Sequence, residues 1–534
     1  MTFLLSGISV VPGTGTDEVL AVARRRLRGA VSLPRDAALS VYRRSVDARK
    51  RKDVRVVYTV AITATFSERE QAALAAFGCQ PLAEALPLVP SGSDPLTSPP
   101  VVVGSGPAGL FAALMLAEAG YAPLVLERGG SVAERAAAYE RFCRDRVLDT
   151  DTNIQFGAGG AGTFSDGKLV TRVNDPLTAY VLSRFVEFGA PADILTEARP
   201  HIGTDLLQKI VSSMLAHIEA CGGRILYRTR FLAPLHTAGR VTAVRTDRGD
   251  FPCGALLLAI GHSARDTYES LLSDSFSIEA KAFSVGLRIE HLQSDVDRAL
   301  YGDFAGHPDL GPASYHLSAD TDSRGVYTFC MCPGGTVVAA ASEEGGVVVN
   351  GMSDRARDGK NANAALAVSV FREDYGATPM AAIDFQRRIE RAAFLAGGGD
   401  YAAPLCTVGD FLSGGEGTAP TLVAPTYMAG KGCRLSSPTA YLPAFVTASL
   451  SRGILAFERR LTGFSAPHAL LTGAETRTSA PVRILRNEAR VALGFDNVYP
   501  AGEGAGYAGG ITSAALDGVR TAMAMLTRYR PFHS

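Results

Sequence analysis

The chain of 534 residues carries no net charge, with 53 Lys and Arg against 53 Asp and Glu. That balance argues against a molecule built as a whole to attract nucleic acid or an anionic membrane. No apolar run reaches the roughly 18 residues that a membrane span requires. The start, Met1 to Val11, has no basic n-region and no cleavage pattern, so we expect no signal peptide. Cysteine is scarce, eight in all, and scattered singly apart from Cys330 and Cys332. This does not read as a disulfide framework, and reduced thiols in a cytoplasmic protein are the expectation. There is no CxxC, which argues against a dithiol–disulfide reductase. What remains is ordinary globular material, 47% apolar and 20% charged, long enough for two or three domains.

The charge is unevenly spread. Residues 1–60 hold twelve Arg or Lys against five acids, a net of +7, so the rest of the chain is about −7. Residues 1–78 read as a small α+β domain. Strands are expected at Phe3–Val11, Ala38–Val46 and Val54–Thr65, and a helix at Asp17–Leu27 capped by Thr16. Ser67 and Glu70 form a capping box for a second helix through Phe77. Residues 79–98, rich in proline and serine, read as a linker. The basic connection Asp47–Asp53 has two readings. It is a solvated loop, or a docking surface for RNA or an acidic partner. The first is favoured, because no aromatic residues interleave with it.

The chain is organised around Val101-Val-Val-Gly-Ser-Gly-Pro-Ala-Gly-Leu110 and Leu124-Val-Leu-Glu-Arg128. An apolar strand ends in Gly104-x-Gly106-x-x-Gly109. An alanine-rich helix follows, and a second strand delivers Glu127, 18 residues past the last glycine. In such a βαβ unit the first glycine makes the turn and the second lets the backbone reach a pyrophosphate. The third lets helix and strand pack closely, and the acid accepts ribose hydroxyls.

Downstream, Gly157, Gly159, Gly160, Gly162 and Gly167 fall within eleven residues, a loop that is neither helix nor strand. Such a loop lets a flat ligand approach the backbone and can form an anion nest. Phe156, Phe164 and Leu169 would tack it to a core. His201–Gly222 reads as a helix, and Arg224–Ala233, Arg240–Thr246 and Asp250–Ala255 as strands. Leu256–Gly261 reads as a buried strand returning to the first sheet beside His262. From about 275 to 470 the pattern changes. Strands are expected at Ala282–His291, Val326–Gly335, Val337–Ala341 and Val347–Asn350, and helices at Asn363–Phe371 and Phe445–Leu461. The chain then returns through Val498-Tyr-Pro-Ala-Gly-Glu-Gly504 and a glycine loop into a last helix, Thr512–Arg528.

Together these motifs resemble the FAD-dependent oxidoreductases of the glutathione-reductase-like fold. Within them they resemble a largely uncharacterised bacterial family of FAD-dependent dehydrogenases. The likeness rests on Gly104–Gly109 with Glu127, Phe156–Lys168, Tyr327–Gly335, Asn350–Met352, Glu475–Ser479 and Gly502–Ile511. It implies an α/β fold with a Rossmann-type FAD-binding domain of three layers (ββα). That domain is split into 99–270 and 471–534, with an inserted mixed α+β substrate domain at 271–470. The cofactor set it implies is Gly104, Ser105, Gly106, Pro107, Ala108, Gly109, Glu127, Arg128, Gly160, Ala161, Gly162, Lys168, Gly261, Gly502, Glu503, Gly510, Ile511 and Ser513. The adenine half lies on the fingerprint, and the flavin between the 157–168 loop and the 502–511 segment.

Four residues are candidates for the chemistry. Cys330 and Cys332, at i and i+2 of a strand, would face one side, or are two buried strand thiols. Arg477 is placed to clamp a substrate carboxylate, or bonds loop carbonyls. His262 follows a strand-end glycine and is a candidate proton donor. No metal site is expected. The function read from all this is hydride transfer between flavin and a small organic substrate. NAD(P)H would be a transient partner over the ring, because no second clean GxGxxG exists. A flavin-dependent RNA-modifying enzyme, a flavin monooxygenase and a redox-silent scaffold are the alternatives. Oligomeric state is left open.

Overall fold

Short runs of aliphatic residues that end at glycine build the central sheet. In the computed structural model, five parallel strands stand in the order Val498–Pro500, Leu256–Leu258, Val101–Val103, Leu124–Leu126 and Arg224–Leu226. The structure describes residues 1–28, 31–82, 91–170, 175–321, 324–415 and 417–531. The first four strands are buried along their whole length, as both faces of a parallel sheet require. One face packs against the helices Pro107–Glu118, Leu177–Glu187, Thr204–Ala220 and Ile511–Arg528. The other packs against an antiparallel sheet of Phe231–Thr237, Arg240–Thr246 and Gly249–Pro252. The expected strand Arg224–Ala233 is therefore two, one in each sheet. The whole is a mixed α/β fold with a Rossmann-like nucleotide module.

Two glycines permit close approach, Gly518 between the first and last of these helices and Gly109 between the first helix and the strand end before it. A Cβ on Gly518 would lie 2.1 Å from the carbonyl oxygen of Ala108, and one on Gly109 would lie 1.9 Å from that of Gly104. The two helices approach to backbone contact, which brings both N-termini to one edge of the sheet.

The second large sheet has seven strands, in the order Ser318–Thr321, Arg324–Cys332, Asn361–Val370, Phe283–Leu292, Leu470–Glu475, Ala403–Thr407 and Cys433–Leu435. Residues 363–371, expected as a helix, lie in its middle as a strand. Asn361–Val370 pairs over its full length with Phe283–Leu292 and on its other edge with Arg324–Cys332. Nine of its ten residues are buried. The alanines that read as helix formers are here small residues fitted between two neighbours, and tertiary packing overrides their propensity. Ala444–Glu458 is helical as expected and packs on this sheet.

The N-terminal residues form an antiparallel sheet ordered Ala38–Asp47, Arg55–Thr63, Thr2–Val10 and Gln80–Pro81. The Ser67–Glu70 capping box is present, whereas Gly15 rather than Thr16 occupies the first N-cap. Ala38–Asp47 does not stay a free edge. Arg44 exchanges backbone hydrogen bonds with Thr196 and Ala198, each 2.7 Å, and its guanidinium pairs with Glu197 at 3.0 Å. The expected linker contains residues 83–90, which lie outside the described residues. The parts on either side of them are held. Gln80–Pro81 pairs with the N-terminal sheet, and the Gly92 N–H donates to the carbonyls of Leu526 and Tyr529.

Replacing Gly518 by Val should separate the two helices. Overpacking of this kind costs about 1–3 kcal/mol. Thermal unfolding should show a lowered Tm, and an unchanged Tm would contradict the close contact.

Candidate functional site

The 157–167 loop takes its shape from two buried charges of opposite sign. Glu127, at the end of its strand, is 4% exposed. Its Oε2 accepts from the N–H of Ser105 at 3.0 Å and the hydroxyl of Ser105 at 2.5 Å. Its Oε1 accepts from the N–H groups of Gly129 and Gly157, each at 3.0 Å. Arg135, fully buried on the Val132–Asp145 helix, donates to the carbonyls of Asn153, Ile154, Ala158 and Gly160. Desolvation lowers its pKa to about 10, so it remains charged at neutral pH. The acid thus collects N–H groups and the base collects carbonyls of the same loop. Glu127 was expected to accept ribose hydroxyls; in the structure it lines the cavity described below and accepts from four donors of its own chain. Arg135 carried no sequence signal beyond a helical arginine.

One cavity of about 520 Å³ gathers residues from across the chain. Of the expected cofactor residues, Gly104, Gly106, Pro107, Ala108, Glu127, Arg128, Gly160, Ala161, Gly162, Lys168, Gly261, Glu503, Gly510 and Ile511 line it. All four expected reactive residues, His262, Cys330, Cys332 and Arg477, line it too. Four cofactor residues do not. Ser105 is buried against Glu127, Gly109 lies in the helix–strand contact, and the Gly502 N–H donates to Asp517 at 2.8 Å. Ser513 bonds Gly509 and Gly510 of its own loop. Arg128 lies over the Phe156 ring at 4.3 Å and pairs with Asp266 at 2.7 Å.

The reactive candidates need correction. Arg477 is no open clamp. Its Nε and Nη2 donate to Glu390 at 3.2 and 3.1 Å, its Nη1 donates to Ser342, and Arg265 shares the same carboxylate at 2.8 Å. His262 is no proton donor near neutrality. Burial and the Arg477 and Arg265 charges push its pKa down to about 3, so the imidazole is neutral. Cys330 and Cys332 do not share a face. A bulge between Phe329 and Cys332 puts Cys330 at φ 43°, exposed to the cavity, and leaves Cys332 buried with its thiol pushed up to about 12. The Cys332 Sγ donates to the Cys330 carbonyl at 3.3 Å. Arg288 also donates to that carbonyl at 2.9 Å and pairs with Glu475 through two bonds of 2.8 and 2.9 Å. Glu475 and Glu390 were missed in the sequence, where nothing marks an acid as the partner of an arginine 187 or 87 residues away.

Glu503 carries a distinct signal. Its carboxyl is desolvated, which raises its pKa to about 7 even with Lys281 nearby, and its Oε1 lies 3.8 Å from His262 Nδ1.

These residues fit FAD. The helices Pro107–Glu118 and Ile511–Arg528 start at glycines with no side-chain cap among the described residues, so their N–H groups are available to an anion. Both starts line the one cavity. The buried His262 Nε2 and Lys168 Nζ have no hydrogen-bond partner among the described residues.

Comparison with known proteins agrees. Residues 102–166 match a model for an NAD(P)-binding Rossmann-like domain, and residues 282–478 match one described as FAD-dependent protein, C-terminal domain-like. This combination defines the class, an FAD-dependent oxidoreductase. An uncharacterized protein of Clostridium beijerinckii is 42% identical over 522 residues, 96% of this chain and 97% of the relative. The chain belongs to the family of FAD-dependent proteins that this relative represents. Among solved structures, an L-amino acid deaminase from Proteus vulgaris is 13% identical, covering 84% of this chain and 97% of its own (TM-score 0.32). A geranylgeranyl bacteriochlorophyll reductase-like protein from Thermoplasma acidophilum is 12% identical, covering 81% and 78% (TM-score 0.34). Likeness this distant carries no argument about substrate. No helix among the described residues is long and apolar enough to cross a membrane.

Two substitutions probe the site. Glu127→Gln places an amide NH₂ against N–H donors, and a buried unsatisfied group costs about 1–3 kcal/mol. Chemical denaturation should show that loss. Glu503 is neutral in the folded chain up to about pH 7 but ionises near 4.5 when unfolded. Its stabilising contribution is present below about pH 4.5 and lost as pH rises to about 7. The Tm of Glu503→Gln relative to the parent should therefore climb over that window, by the equivalent of roughly 2–3 kcal/mol, and then level off. A difference that is flat with pH would refute the buried carboxyl.

Proposed function

We propose that this protein transfers a hydride between FAD and a small organic substrate. One observation supports the reading best. A single cavity runs from the glycine fingerprint to side chains of the seven-stranded sheet, a continuous space that cofactor and substrate would share. In this reading residues 99–270 and 471–534 hold FAD, residues 271–470 cover it and contact substrate, and residues 1–78 stand apart from the chemistry.

The cofactor supplies the redox chemistry when bound. The chain supplies the rest. The N–H groups of Gly106, Ala108, Gly510 and Ile511 hold anionic parts of the cofactor. Glu503 Oε1, close to its titration point at neutral pH, passes a proton to or from a neighbouring hydroxyl. Neutral His262 accepts a hydrogen bond in that space. The buried Arg265–Glu390–Arg477 network fixes the wall behind it and keeps its charge balanced. NAD(P)H, in this reading, is a transient partner. Neither the RNA-modifying nor the monooxygenase alternative gains an observation. Several N-terminal cations are engaged within the chain, Arg44 with Glu197, Arg49 with Asp47, Arg55 with Asp53 and Arg26 with the carbonyls of Ser6 and Gly7.

Gly106 gives a clean test. Its φ of −65° and ψ of 177° are open to any residue, and a Cβ there would meet nothing nearer than 3.8 Å. The fold does not require glycine at this position, but a ligand against its backbone does. Gly106→Ala should keep the parent Tm and lose at least about tenfold in FAD affinity, ~1.4 kcal/mol, measured by flavin fluorescence quenching. The parent should also be reduced anaerobically by a small organic substrate or NAD(P)H, followed at the flavin absorbance. A parent chain that rebinds no FAD would defeat the proposal.

A further inference from the structure

The cavity wall carries two polar groups that the hydride transfer described above does not use. The ammonium of Lys168 is buried and makes no hydrogen bond among the described residues. Asp166 Oδ2 lies 3.4 Å away. The hydroxyl of Tyr315 is buried and also makes none, on a residue only 7% exposed. Both residues line the same cavity. The chain on either side brings them to one end of it: Leu169 N–H donates to the Pro200 carbonyl at 2.9 Å, and the neighbouring Arg199 donates to the hydroxyl of Ser314, next to Tyr315, at 3.3 Å. Burial raises the Tyr315 pKa, which keeps its hydroxyl a donor.

The local charge is unbalanced. Asp166 is shared between Lys168 and Arg357, whose Nε donates to it at 2.8 Å, and Ser353 donates to it as well. One carboxylate therefore faces two cations. The adjacent Arg288 and Glu475 cancel each other. One positive charge is left over, and leaving it and a hydroxyl buried without partners is unfavourable. A carboxylate supplies one negative charge and acceptors for both donors. A phosphate dianion would overshoot the charge. Arg199, exposed at the cavity mouth and bonded to Ser314 at 3.3 Å, adds a cation where an anion would enter.

We propose that Lys168 and Tyr315 form a subsite for the carboxylate of a small organic acid, and that such acids are the substrate class. The word substrate rests on the hydride-transfer reading; the binding subsite does not.

The test is calorimetric titration of the FAD-loaded protein with propionate, pyruvate and benzoate, and with propionamide and benzamide as neutral controls. At least one acid should bind tenfold or more tighter than the amides. Lys168→Met and Tyr315→Phe should each weaken it by about tenfold or more, as loss of a charged hydrogen bond implies. Lys168→Arg should recover part of the affinity, and FAD affinity should stay at the parent value in Tyr315→Phe. Tyr315→Phe keeps the ring and its packing on Phe464, so it guards against misfolding. Equal binding of acids and amides, or acid binding unmoved in both variants, overturns the subsite. So does inorganic phosphate outcompeting every acid. A parent chain that takes up no FAD overturns the hydride-transfer reading instead, and the same titration on it still reports the subsite.

Discussion

The site depends on a pair of buried opposite charges that never touch as an ion pair. Glu127 and Arg135 grip the same glycine loop through different backbone groups. The carboxylate draws N–H groups of residues 105, 129 and 157 to one point, and the guanidinium draws carbonyls of residues 153 to 160 to another. Each charge is compensated by peptide dipoles, which are fixed in direction and cannot be screened by entering solvent. The loop is therefore rigid despite its glycines. Gly157 shows how tightly it is held, since a Cβ there would lie 2.2 Å from the Arg135 side chain.

The same economy recurs at the other end of the cavity. Arg265 and Arg477 share Glu390, and Arg288 takes Glu475. Buried guanidinium groups with several fixed partners hold strands and loops of different sheets in register. They also set the electrostatic background. Burial, reinforced by the charges of Arg477 and Arg265, holds His262 neutral, while burial of Glu503 raises its pKa to about 7.

Much of the nucleotide module was legible because its residues answer to local rules. Gly104, Gly106 and Gly109 sit at a turn, a helix start and a helix–strand contact, and each rule acts within a few residues. The return of Gly502–Ile511 to the same cavity was legible for the same reason, as a second strand–glycine–helix junction. What escaped was non-local. Residues 361–370 look helical by composition, and only their two strand neighbours make them a strand. The bulge that turns Cys330 away from Cys332 leaves no mark on a strand read in isolation. Arg477 looked free because its partner Glu390 lies on another element. The bonds of Glu127 to three stretches of its own backbone could not be seen from spacing.

The central sheet orders its strands 498, 256, 101, 124, 224 by first residue, so its edge strand is synthesised after every strand of the seven-stranded sheet. The helix that completes the cavity comes later still and packs against the helix that begins at residue 107. A nascent chain can assemble its N-terminal sheet, the fingerprint turn and most of the seven-stranded sheet, and yet have no closed cavity. Such long-range closure is entropically slow. Completion of the cavity then waits on residues made after the whole seven-stranded sheet, and during synthesis the half-built nucleotide face is apolar surface in need of shelter.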